Sequence, residues 1–142
     1  MPMSNALGNS ILNYFYNVGT PIMTAPTKVY LGLSTTIINA DGTGITEPVG
    51  NGYVRMELDA DTTMFTTSTV KELSNKNGII FPKATGGNWN THTNTAADVL
   101  YAFISTASIG GTMLWYQQVP YKWIQAGTEY YIAVGDLDFS IV

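Results

Sequence analysis

Apolar side chains recur along the chain at two different spacings, and the change between them divides it. Over Leu7, Ile11, Phe15 and Val18 the spacing is three and four, so these residues share one face of a helix, which Leu12 and Tyr14 widen. Ser4 or Asn5 is placed to cap its start, and Gly19 followed by Pro21 is its stop signal. After Pro26 the period falls to two, and the residues shift to Thr, Val, Ile, Tyr and Trp, which suit a pleated, half-buried surface. Val29, Leu31 and Leu33 alternate with Lys28, Tyr30 and Gly32 in a first strand that ends in Ser34-Thr35-Thr36. Further strands are predicted at Tyr53 to Leu58, around Met64 to Thr67, at Gly78 to Phe81, Val99 to Ser105, Met113 to Val119, Tyr130 to Val134 and Leu137 to Val142. In the last, Leu137, Phe139 and Ile141 face one way, and Asp138 and Ser140 the other.

Turn chemistry separates these runs. Asn39 to Gly52 is rich in Gly, Asn and Asp and long enough to be a loop with its own shape, Thr85 to Thr95 carries Gly86-Gly87, and Gly110-Gly111 and Gly135-Asp136 join neighbouring strands. The count, about seven or eight short strands with a turn signal between each, predicts a mainly β fold. The expected architecture is an antiparallel β-sandwich, jelly-roll or Ig-like, over 26–142, with one N-terminal helix in 1–20 as a possible docking element.

Composition narrows the function classes. Of 142 residues only 11% are charged, against roughly 25% in an ordinary soluble domain, and 45% are hydrophobic. Six Lys and Arg against ten Asp and Glu give a net charge of -4, which removes the cationic footprint that nucleic acid or an anionic membrane would require. Cys is absent, so disulfides, thiolate metal sites and cysteine nucleophiles are excluded. Met1 to Val18 has no basic leader and carries Asn9, Ser10, Asn13 and Asn17, so it reads as neither signal peptide nor membrane span. Neutral Thr, Asn, Ser and Gly stand where charges would be, and such groups are desolvated at far lower cost than ions, which suits a surface covered by neighbours.

Catalytic chemistry finds little support. The one histidine, His92, lies among Asn90, Thr91, Thr93 and Asn94, the make-up of a solvated loop, and no G-x-S-x-G presents a serine to it. Asp59 with Asp61, and Asp136 with Asp138, are the closest carboxylate pairs; a glycosidase needs two carboxylates, but such pairs ordinarily form polar strand faces or turn caps. Asn39, Asp41 and Thr43 imitate the start of a calcium loop, yet no Glu stands twelve residues into that frame. No cofactor or metal is expected.

The densest feature is aromatic: Trp115, Tyr116, Tyr121, Trp123, Tyr130 and Tyr131. Adjacent rings in a strand point to opposite faces, so one of each pair is free to leave the core. An outward ring stacks a sugar or fills a subunit interface. Trp115, Tyr116, Tyr121 and Trp123 are the candidate interface or ligand aromatics, and Leu7, Ile11 and Phe15 the candidate docking face of the helix.

Four segments carry a family resemblance: APTKVYLGLSTT, DGTGITEPVGNGYVRMEL, NGIIFPKATGGNW and IQAGTEYYIAVGDLDFSIV. Their most specific pieces are E-P-x-G-x-G-Y-x-R at Glu47 to Arg55 and FPKATGGNW at Phe81 to Trp89. Over nearly the whole chain they resemble a family of small bacteriophage virion proteins described as tail fibre or minor structural proteins. The departure is NTHTNTAAD at Asn90 to Asp98, longer and more polar than the family pattern. The resemblance implies a non-enzymatic virion component, a tail or neck fibre or a capsid decoration, made in the host cytoplasm. Its expected partners are copies of itself, most simply in a trimer, and other virion proteins. The alternative is a carbohydrate-binding module that reads host surface glycans through outward aromatics.

Overall fold

A computed structural model describes residues 1–20, 25–68 and 70–141. It is mainly β, with antiparallel sheets, eight strands and one N-terminal helix, as the hydrophobic pattern predicts. The elements are α1 (Asn5–Phe15), β1 (Lys28–Ser34), β2 (Met56–Asp59), β3 (Glu72–Ser74), β4 (Ile79–Ile80), β5 (Leu100–Ser105), β6 (Met113–Val119), β7 (Tyr131–Ile132) and β8 (Asp138–Ser140).

The principal sheet runs in the order β2-β1-β5-β6. Its register sets Leu31 opposite Ile104, Leu33 opposite Ala102, Val29 opposite Leu58 and Leu100 opposite Val119. One face is therefore continuously apolar. Facing it are two two-stranded ribbons, β3-β8 and β4-β7, which bring Ile79, Phe81, Ile132, Leu137 and Phe139 into the same buried cluster. The opposite face of the sheet is closed locally: the Phe103 ring lies across Gly32, where any Cβ would collide with it, and Ile38 and Met113 complete a smaller cluster.

Helix α1 starts as the sequence predicts and stops sooner. Buried Ser4 is the N-cap: its hydroxyl accepts from Leu7 N (3.2 Å) and donates to Met113 O (2.6 Å), fixing the helix start to β6. The end falls at Tyr16, because Asn17 takes the left-handed conformation (φ 54°) and Val18 N donates to Asn13 O. Gly19 lies beyond the stop that the sequence assigned to it. Pro21 and Val142, the remaining parts of the predicted helix stop and last strand, lie outside the described residues.

Three strand expectations are corrected. The segment expected from Tyr53 pairs only from Met56, because a turn closes from Tyr53 N to Gly50 O and holds the preceding residues off the ladder. Met64 to Thr67 forms no strand: Phe65 N donates to Asp61 O in a tight turn, and only an isolated bridge from Phe65 to Asn75 remains. Polar Glu72–Ser74, which carries no alternation, is a strand because Leu73 is paired with Phe139.

Strands of two or three residues leave most of this second layer without a ladder, and side-chain amides complete it. Asn75, 1% exposed, donates to Asn77 O (2.8 Å) and Ala133 O (2.9 Å) and accepts from Leu137 N (2.9 Å). Asn90 does the same for the opposite segment, donating to Lys122 O and accepting from Ile124 N, both at 2.8 Å. Among the described residues no buried side-chain nitrogen or oxygen lacks a partner. Asn75→Ala strands one buried N–H and two carbonyls at once, and the expected loss is about 3 kcal/mol of unfolding free energy, read from the midpoint of a urea titration.

Candidate functional site

The four candidate aromatics fall in three places. Trp115 and Tyr116 point to opposite faces, as adjacent strand residues must. Trp115 packs edge-on against Phe139 (5.4 Å) and lines an apolar cleft of about 380 Å³ with Val29, Phe65, Leu73 and Ile104. Tyr116 packs against the Phe103 cluster on the other side of the sheet. Only Tyr121 and Trp123 are brought together, just beyond the end of β6. On the helix, Leu7 and Ile11 are half-buried, whereas Phe15 is 73% exposed.

Tyr121 and Trp123 meet on His92. The imidazole stacks on both rings, with centroids 5.9 Å and 5.3 Å apart and planes 20° from parallel in each case. Its Nδ1 lies 3.0 Å from Asp98 Oδ2. The same carboxylate accepts from Thr93 N and Asn94 N (2.8 Å each) and from the Thr93 hydroxyl (2.7 Å). These hydrogen bonds, led by the Thr93 hydroxyl, hold the Asp98 carboxyl below the usual carboxylate range. The segment around His92 is exposed, as expected of a solvated loop, and its side chains order it as a turn, with Asn94 at φ 54°. Trp123 is fixed from the other side, since Asn90 bonds the backbone of both its neighbours, Lys122 and Ile124. The result is a shallow depression of about 410 Å³ lined by Asn88, Trp89, Asn90, Thr91, His92 and Trp123.

The other polar candidates are occupied by local structure. Asp41 accepts from Thr43 N and its hydroxyl, and Asn39 donates to the same hydroxyl, so the calcium-like sequence closes on itself as a turn. Asp61 binds Thr63 in the same way, and Asp59 pairs with Lys28. Asp138 lies on β8 opposite Ser74, while Asp136 lies in the turn before it. Among the described residues no group of three or more His, Asp or Glu side chains converges, and no helix is long and apolar enough to cross a membrane.

The two sequence motifs meet as one internal knot. Arg55 grips Glu47 through two nitrogens (2.9 and 2.8 Å), donates to Ala107 O and Gly110 O (2.7 and 2.8 Å), and lies 5.0 Å above the Phe103 ring. Tyr53 donates its hydroxyl to Glu47 (2.8 Å) and receives Leu33 N (2.9 Å); burial pushes that phenol well above its ordinary range. Phe81 and Trp89 pack on the Tyr53 ring, and Trp89 Nε1 donates to Asn51 O (2.8 Å). Sequence reasoning assigned only turns and packing to these motifs; the signal for more was the chain's single arginine standing eight residues from Glu47.

Comparison with known families places this chain among bacteriophage fibre structural proteins, associated with the virion. The matching family is described as Podophage GP4 fiber I protein gp80; the match covers residues 2–140, and the chain belongs to that family. No curated protein matches it.

Two outcomes follow from this geometry. Arg55→Ala leaves Glu47 and two carbonyls without their partner and is expected to lower stability by about 3 kcal/mol, measured by chemical unfolding. Because the Asp98 carboxyl is held low, its bonds contribute above about pH 4 and are lost as pH falls through its own lower value. Hydrogen exchange at Thr93 and Asn94 should therefore be slow at pH 6 and accelerate beyond its intrinsic pH dependence only in stronger acid than free carboxylates need.

Proposed function

We propose that the protein is a non-enzymatic building block of a phage fibre, held in place by contacts with copies of itself, most simply as a trimer, and with other virion proteins. The observation that carries this reading is the apolar surface at the end of α1. Leu12 (58% exposed), Tyr14, Phe15, Tyr16 (75%) and Val18 stand open to water within seven residues. An exposed cluster of this kind marks a protein contact surface more often than a free monomer surface. Its position at the end of an amphipathic helix suits a helix laid against a neighbouring subunit.

Two further features support an assembly role. Glu47, Tyr53, Arg55 and Trp89, from the two sequence motifs, are engaged in internal bonds, which is the use expected of a structural motif. A neutral polar surface is also desolvated at low cost when subunits meet. The fiber description of the family favours a place in a fibre over one as a capsid decoration.

Light scattering on the eluting peak of a size-exclusion column tests the reading. The expected mass is three times 15.4 kDa, and the paired change Phe15→Ser and Tyr16→Ser should shift it to the monomer with an unchanged circular dichroism spectrum. A wild-type monomer at tens of micromolar would overturn self-assembly.

A further inference from the structure

The depression beside Trp123 has a second kind of chemistry, separate from the apolar end of α1. It combines one flat aromatic face with neutral hydrogen-bonding groups. Trp123 is 38% exposed, and its orientation is set by Asn90 on both flanking residues and by the buried Ile124 next to it. His92 backs the indole, with Nδ1 3.0 Å from Asp98 Oδ2. Asn88 uses Oδ1 to accept from Ala126 N (3.0 Å), and its amide nitrogen has no partner among the described residues. The Thr91 hydroxyl likewise has none, while its carbonyl accepts from the Tyr121 hydroxyl (2.7 Å).

The lining of the first depression, Asn88, Trp89, Asn90, Thr91, His92 and Trp123, includes no Lys, Arg, Asp or Glu side chain. Nearby, Asp98 accepts from Thr93 and Asn94, and the Lys122 ammonium is turned to the Glu129 carbonyl. A saccharide ring offers the complementary surface: a C–H face that packs on an indole plane and a rim of hydroxyls that both donate and accept. Hydrogen-bonded anchoring of the 90–98 turn means that little ordering is needed on binding, which lowers its entropic cost.

A second depression, about 470 Å³, is lined by Gln117, Tyr121, Lys122, Tyr130, Tyr131 and Asp136, and Tyr121, which stacks on His92, ties it to the first. Tyr131, 56% exposed, presents a further aromatic ring there.

We propose that this end of the protein binds a neutral oligosaccharide, with one pyranose stacked on the Trp123 face turned away from His92 and hydrogen-bonded by Asn88 and Thr91, and a neighbouring unit lying toward Tyr121 and Tyr131. The site goes beyond the structural role and does not require it, because none of its residues belongs to the apolar end of α1.

A printed array of neutral and acidic oligosaccharides, probed with the full chain, tests this. Binding is expected to neutral glycans, to weaken about tenfold or more in Trp123→Ala, to be partly retained in Trp123→Phe, to weaken severalfold in Asn88→Ala, and to be unchanged in Val49→Ala, a residue 90% exposed and remote in sequence from the site. Absence of binding to every neutral glycan, binding confined to acidic ones, or equal binding by a folded Trp123→Ala would each overturn it. Should Trp123→Ala fail to fold, the wild-type protein decides: the strongest array glycan at millimolar concentration must shift the indole N–H resonance of Trp123 and leave that of Trp115, which lines the separate apolar cleft, in place. The opposite pattern overturns the site. Mass measurements on the same samples keep failure of self-assembly distinguishable from failure of sugar binding.

Discussion

Every buried backbone N–H and C=O must find a partner, and in this protein that demand shapes the layer facing the principal sheet. Strands β3, β4, β7 and β8 are two or three residues long and cannot meet it alone. Carboxamide side chains do so, each presenting a donor and an acceptor in the geometry of a peptide group. Asn75 ties 77 and 133 to 137, and Asn90 continues the contact begun by Trp89 N on Ile124 O. Because an amide completes the bonding of an irregular segment as a strand completes that of a regular one, the chain keeps a dense core beneath loops. The apolar cluster then forms between a conventional four-stranded sheet and a layer assembled from pieces.

The knot around Glu47, Tyr53 and Arg55 solves the corresponding problem on the other side. Arg55 collects the carbonyls of Ala107 and Gly110 at the β5-β6 turn, while its partner Glu47 accepts from the Tyr53 hydroxyl, which in turn accepts from Leu33 N in β1. One ion pair thus fastens a hairpin turn, a long loop and a central strand. Stacking of Tyr53 with Phe81 and its edge-on contact with Trp89 carry the fixation to the segment that leads to His92. The Tyr121–His92–Trp123 group beyond it is held by Asn90 and Asp98.

Much of this was legible in order and spacing. The i, i+4 recurrence from Leu7 and the hydroxyl of Ser4 define α1, and the alternation of β1, β5 and β6 reports a sheet with one buried face. β3 was not legible, because Glu72, Leu73 and Ser74 show no periodicity and acquire strand geometry only from Phe139, far along the chain. Tyr121 and Trp123 stand out as aromatics two residues apart, and so on one side of an extended chain. His92 and Asp98 were hidden by the polar company they keep: the Thr and Asn residues that suggest a solvated loop are the ones that bond the Asp98 carboxylate. Trp115 and Tyr116 looked equivalent to the other pair in sequence, and only the register of β6 against β5 separates their surroundings.

The carboxamide pegs also bear on where such a molecule has to survive. A fibre on a free particle meets water whose acidity and salt content no cell regulates. Carboxamides neither gain nor lose a proton across that range, and hydrogen bonds between uncharged groups are little affected by the ions that screen a salt bridge. By closing its second layer with Asn75 and Asn90 rather than with paired charges, the chain makes the integrity of that layer largely independent of the medium.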